Sequence, residues 1–227
     1  MPSIFLTVSA LLTGSSAIYL YYFHQKLASR ISHHTHYGTP PSPTATSITS
    51  IPKSVYTEEY YTVYDHASRP VARRLLPSMD PEELFTQFAR RNMSTFARFP
   101  QSWTIWMITP FAQRNTFKAS HIHSLDFKEG DIVCGLYRVA TRTASSIEFE
   151  FMPPSPAQGR LVLSYREKDA NMVFSSETAM WRKKEDKVPM PLERSVLKYL
   201  HEMAAWWLVD SGVRYLMDLE VDRPAVE

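Results

Sequence analysis

An α+β fold, in which a curved antiparallel sheet packs on a long C-terminal helix, is what this sequence predicts. Three observations carry that expectation. Strand-like runs succeed one another from Asp131 to Trp181 with no helical segment between them. Helical signatures gather before that block, from Asp80, and after it, from Pro191. Segregated strands and helices argue for α+β over alternating α/β. The part of the chain from Val55 onward, about 170 residues, has the size of one domain with one core.

The first element is Ile4 to Phe23, IFLTVSALLTGSSAIYLYYF, which carries no Lys, Arg, Asp or Glu. About 20 apolar residues are what a helix needs to cross a bilayer, so residues 1–25 read as one N-terminal transmembrane helix. Tyr19, Tyr21, Tyr22 and Phe23 crowd its end as an interfacial aromatic belt does. A cleaved signal peptide is the rival reading, with Ser15 and Ala17 as its cleavage site. Met1-Pro2-Ser3 lacks the basic start that signal peptides carry, which favours a retained anchor. Lys26 and Arg30 follow the span and no basic residue precedes it, so the positive-inside rule sets the remainder in the cytosol. Residues 26–54 include GTPPSPTATSITSIPKS and read as a flexible linker rich in Pro, Ser and Thr.

The single domain is expected over 55–220, with 221–227 as a tail. VYTEEYYTVYDH suggests a strand around Tyr60 to Tyr64. Asp80-Pro81-Glu82-Glu83 supplies an N-cap, a first-turn proline and a capping-box carboxylate for the next helix. Phe85, Phe88, Phe96 and Phe99 form its apolar stripe, and Pro100 ends it. QSWTIWMI follows as a second apolar element before Pro110. Asp131 to Val139 reads as one strand covered on both faces. Ser146 to Phe151 alternates, and Leu161 to Tyr165 and Met172 to Trp181 are further strands. From about Pro191 a long helix presents Leu192, Val196, Tyr199, Leu200, Met203, Trp206 and Trp207 on one face. Gly212 is placed to cap it.

Several chemistries are excluded or disfavoured. The six glycines are too scattered for a P-loop or a dinucleotide fingerprint, which bring clustered backbone amides up to phosphates. No G-x-S-x-G elbow is present. A formal net charge of +2 gives no phosphate-tracking surface, so no nucleic acid partner is expected. One cysteine, Cys134, forbids an intrachain disulfide and reads as an inert buried thiol. His121 and His123, with Asp126 nearby, lack a clear further ligand, so no metal and no cofactor is expected. Asn92-Met93-Ser94 has the glycosylation pattern but sits mid-helix.

FKEGDIVCGLYRV leading the strands and PLERSVLKYLHEMAAWWL closing them resemble helix-grip domains, the START-like and polyketide-cyclase-like proteins. The closest resemblance is to uncharacterised fungal membrane-anchored proteins of that shape, over roughly Tyr60 to Leu219. The resemblance implies a cavity between sheet and closing helix that often holds a lipophilic ligand. It transfers no catalytic residue. A hotdog thioesterase is the alternative fold, since a helix followed by Gly-Asp-led strands also suits it.

Polar residues on faces expected to be apolar are the site candidates. Asn92 lies within the phenylalanine stripe, and a buried amide needs partners from the protein or a ligand. Arg138 and Glu177 sit within strands where either face could be buried. Trp207 lies on the broad face of the last helix. These four are the expected ligand-binding residues. Asp210 reads as an exposed exit from the core, and His201 as a solvent-facing residue. The functional expectation is a membrane-tethered domain binding a lipophilic small molecule or lipid, with the membrane as partner. The alternative is a cyclase, dehydratase or acyl thioesterase of the same or hotdog-like architecture, which would need an acid or base within reach of its substrate.

Overall fold

The computed structural model describes residues 18–39, 47–153 and 157–221. Its helices are α1 over 18–28, α2 (Pro81–Phe96), α3 (Pro100–Ile108), α4 (Ala119–Ser124) and α5 (Ser195–Val221). Its strands are β1 (Ser32–Gly38), β2 (Tyr60–Ala72), β3 (Ile132–Val133), β4 (Tyr137–Thr143), β5 (Ser146–Phe151), β6 (Gln158–Lys168) and β7 (Asn171–Lys183). They form one antiparallel sheet in the order β1-β2-β7-β6-β5-β4-β3. Three helices between β2 and β3 and a 27-residue helix closing the chain give the helix-grip arrangement, with β1 as an added edge strand. The long helix comes after the strands, which sets the hotdog alternative aside.

Most of Ile4 to Phe23 lies outside the described residues, and among the described residues no helix is long and apolar enough to cross a membrane. The expected linker 26–54 needs correction over its described parts. Ser32–Gly38 pairs along its whole length with β2. Ile48, Ile51 and Val55 are buried against Tyr64, Val162, Ala179 and Trp181. Few apolar residues suffice there because an already formed sheet face receives them.

Asp80 caps α2 as expected, accepting from the backbone N–H groups of Glu82 (2.8 Å) and Glu83 (3.4 Å). The single strand expected over Asp131 to Val139 is instead a tight hairpin. Cys134 (φ 49°) and Gly135 (φ 61°) take left-handed backbone between β3 and β4. Apolar side chains on both sequence parities had read as a continuous buried strand. Gly212 does not cap α5, which runs through it. A Cβ at Gly212 would stand 2.5 Å from Asn92 Nδ2 and 2.8 Å from Phe88 Cε2, so the glycine serves the close crossing of α2 and α5.

Register assigns the two faces of the sheet. Ile147, Phe149, Leu163, Phe174 and Met172 face the helices and join Phe85 and Phe88 of α2 and Val213 and Leu216 of α5. Five phenylalanines in this core (Phe85, Phe88, Phe127, Phe149, Phe174) are fully buried. The opposite face carries Tyr64, Glu148, Val162, Glu177, Ala179 and Trp181 and is covered by the segment around Ile48 to Val55.

Candidate functional site

The four expected ligand-binding residues do not converge. Asn92 and Trp207 lie on the helix side, whereas Glu177 and Arg138 point out of the other face of the sheet. Asn92 is 3% exposed and donates from Nδ2 to the Phe88 carbonyl at 2.9 Å. That bond lies within α2, and the amide packs against Gly212 where α5 crosses.

Glu177 is buried beneath the covering segment, where it accepts from the Tyr64 hydroxyl at 2.6 Å and from Ser47. Its neighbour two strands away, Glu148, accepts from Thr49 N, Thr49 Oγ1 and Ser50 N, each at 2.8 Å. These two carboxylates anchor a strap of chain. Burial is the main cause that pushes the Tyr64 phenol far above its usual range, with the Glu177 charge adding to it. Arg138 pairs with Glu150, and Arg160 reaches Ser50 Oγ (2.8 Å) and Ser50 O (3.0 Å). Beside them lies an open groove of about 730 Å³ lined by Arg138, Glu150, Arg160 and Trp181. Its ion pairs are internally satisfied.

The helix side offers a different surface. Residues facing a packed core there should be fully buried, yet Phe96, Tyr137, Phe151, Leu161, Met180 and Trp207 are only half-buried. Register places Tyr137, Phe151, Leu161 and Met180 on the same inward face as the buried Phe149. The aromatic rings are linked by contacts: Trp207 to Phe99 (5.4 Å between centroids), Phe99 to Phe96 (6.3 Å), Phe96 to Tyr137 (5.5 Å) and Tyr137 to Phe151 (5.6 Å). Gly159 leaves room for the Phe151 ring, which a Cβ would meet at 2.6 Å. Desolvation pushes the Tyr137 phenol well above its usual range, and the Cys134 sulfur adds to the shift. These side chains leave half-buried apolar surface on the inner face of the sheet.

Two inward polar groups escaped the sequence reading. Asp65 is 3% exposed on the inner face of β2, opposite Thr178 of β7. His201 Nε2 stands 3.5 Å from Asp65 Oδ2, so the expected solvent-facing histidine is half-buried instead. The Thr35 hydroxyl lies 3.1 Å from Asp65 Oδ1 and 3.3 Å from Glu202 Oε1, and can donate to one at a time. The cause is β1: its arrival at the sheet edge gives the polar side of α5 something to face. Conversely Val196, Tyr199 and Leu200, expected in the core, are exposed.

Asp210 is the second correction. It is 1% exposed and holds Arg69 (2.8 Å), Arg214 (2.9 Å) and Arg30 (3.7 Å). Cys134 is buried as expected, and desolvation raises its thiol to about 12, with the Ser102 hydrogen bond opposing. His121 lies in α4 with Nε2 3.1 Å from the Ile132 carbonyl, and among the described residues no three His, Cys, Asp or Glu side chains are grouped to hold a metal.

No protein-family model matches the chain, and no curated protein matches it. Among solved structures it is similar to CalU16 from Micromonospora echinospora, at 11% identity over 86% of this chain and 87% of that one, with a TM-score of 0.38. A likeness at that level carries no argument about fold or activity, which rest on the sheet order, the closing helix and the aromatic face themselves.

Proposed function

We propose that this chain is a membrane-tethered binding domain that takes a lipophilic small molecule or lipid against the inner aromatic face. The observation that carries this reading is the half-buried row of Phe96, Tyr137, Phe151, Leu161 and Met180 on the side of the sheet that faces the helices. Apolar surface kept accessible inside a fold costs roughly 25 cal/mol per Å² compared with burying it, so a ligand that covers it gains that amount. The tether is the Ile4 to Phe23 stretch, with the domain on the cytosolic side as Lys26 and Arg30 direct.

The test is native mass spectrometry of the full chain in mild detergent, reading any co-purifying apolar compound. Leu161→Trp should cover the half-buried inner face and lower retention at least severalfold while the chain stays folded. Unchanged retention in that variant would move the ligand elsewhere, and a chain with no bound compound in any membrane extract would sink the reading. The Asp65–His201 pair alone favours the enzyme alternative, as a general-base arrangement. Asp65→Asn would then cut turnover of whatever compound is identified while leaving its binding intact. Binding without turnover in the unaltered chain keeps the non-catalytic reading.

A further inference from the structure

Helix α3 has nine residues, PQSWTIWMI, and Ser102 is the one that is buried. Trp103 (60%), Trp106 (42%), Met107 (63%) and Ile108 (58%) are exposed, and Phe111 just after the helix is 85% exposed. A surface helix of a soluble domain turns its apolar stripe inward and its polar side out. Here large apolar side chains point to solvent, and the helix is docked through a serine. Contiguous exposed apolar surface of this kind marks a contact with something else.

Three observations say what that contact is. The residue types are those of a bilayer interface, where Trp prefers the headgroup level and Met, Ile and Phe reach the acyl boundary. Arg114 supplies a cation at the patch: its guanidinium stands 4.2 Å from the Trp106 ring centre and 5.9 Å from that of Phe111, placed to meet lipid phosphates as the rings sink. A chain of contacts also leads from α3 towards the end of the apolar N-terminal stretch. Phe99, next to α3, packs on Trp207. Trp207 and Phe23 of α1 pack against one cluster, with Leu27, Ile31 and Trp206. From Phe23 back towards the N-terminus, Tyr22 to Ile18 are exposed, and the uncharged sequence continues to Ile4. Twenty residues at helical rise cover about 30 Å, the thickness of a hydrocarbon core.

We propose that α3 is a second membrane contact, with Trp103, Trp106, Met107, Ile108 and Phe111 inserted into the interface of the bilayer that the N-terminal stretch enters. This rests on the tethered reading above and adds to it an orientation. Phe96 ends α2 and Phe99 precedes α3, so the aromatic train to Tyr137 and Phe151 begins at the membrane-facing helix. A lipophilic molecule would then pass between the bilayer and that inner face along apolar side chains.

The experiment uses the full chain in phosphatidylcholine–phosphatidylserine vesicles, carrying an environment-sensitive nitrobenzoxadiazole dye at Met107→Cys or, separately, at Glu185→Cys. Cys134 is fully buried and will not compete for the dye. Ile108→Cys serves if Met107→Cys fails to fold. Dye at 107 should emit to the blue and be quenched by lipid-borne nitroxide at least threefold more than dye at the exposed position 185. Water-like emission at 107 on a vesicle-bound chain overturns the α3 contact and leaves the tether standing. Quenching at 107 on a chain that alkaline carbonate strips from vesicles supports α3 and removes the transmembrane anchor. No association with vesicles overturns both. A blue shift that grows with protein concentration without lipid assigns the patch to a second copy of this chain, and overturns the membrane contact.

Discussion

Asp210 shows how one residue's neighbours change its meaning. Near the end of an amphipathic helix, a lone aspartate reads as an exposed exit. In the fold it meets guanidinium groups from β2, from α5 itself and from the turn after α1. Truncating one partner of a buried ion pair strands the other, at a cost of about 3–5 kcal/mol. Arg69 keeps one bond to the Asp210 carbonyl at 2.7 Å, so Asp210→Ala should cost about 3 kcal/mol, near the lower end of that range. Chemical denaturation would read it, and a loss below about 1 kcal/mol would show that the arginines find water instead. His66 contributes a pH dependence on the outer face. Burial, the largest cause, lowers its pKa from the usual 6.5, while Glu177 opposes that shift. The folded state therefore binds fewer protons than the unfolded one just below pH 6.5, and stability falls as pH drops past that value. His66→Gln should flatten this part of the profile in urea titrations between pH 7.5 and 5.5. An unchanged slope would assign the acid sensitivity to other groups.

At the scale of elements, the crossing of α2 and α5 is the most sensitive point. Gly212→Ala gains up to about 1 kcal/mol of helix propensity. It also drives a methyl to within 2.5 Å of a buried amide and 2.8 Å of a buried ring, and neither has room to retreat. Overpacking costs about 1–3 kcal/mol, so the variant should be less stable despite the better helix former. A raised melting temperature would show that the helices can part without loss. Elements with strong local signals were legible from sequence: α2 through Asp80 and its phenylalanine stripe, β5 through its alternation, β7 through its β-branched and aromatic run. The strap around Ser47 to Val55 was not. Its sequence is that of a loop, and its order comes from Glu148 and Glu177, roughly 100 residues or more away in the chain.

For the whole molecule, the apolar N-terminal stretch, the exposed α3 and the exposed start of α5 give a direction. Val196, Leu197 and Leu200 of α5 are exposed, and Tyr199 stacks on His24 of α1 with ring centres 5.9 Å apart. A tethered domain with Lys26 and Arg30 in the cytosol predicts complete digestion by protease added outside sealed microsomes. It also predicts no glycan on Asn92, whose side chain is buried at 3% exposure. A protected domain would invert the topology.

The sequence by itself determined the α+β class, the order of the main helices and strands from β2 onward, and the absence of a P-loop or nucleophile elbow. These follow from periodicity, caps and spacing, which act over a few residues. Tertiary structure decided which polar residues are buried and what they face. Glu177 became a strap anchor and Asp65 and His201 a pair, because register across β1, β2 and β7 sets their neighbours, and Asn92 came to lie where α2 crosses Gly212 of α5. It also decided that the tryptophans of α3 face outward whereas those of α5 pack inward or half-inward. An apolar run has no periodicity that marks its free side, so only the packing of the rest of the chain could choose it.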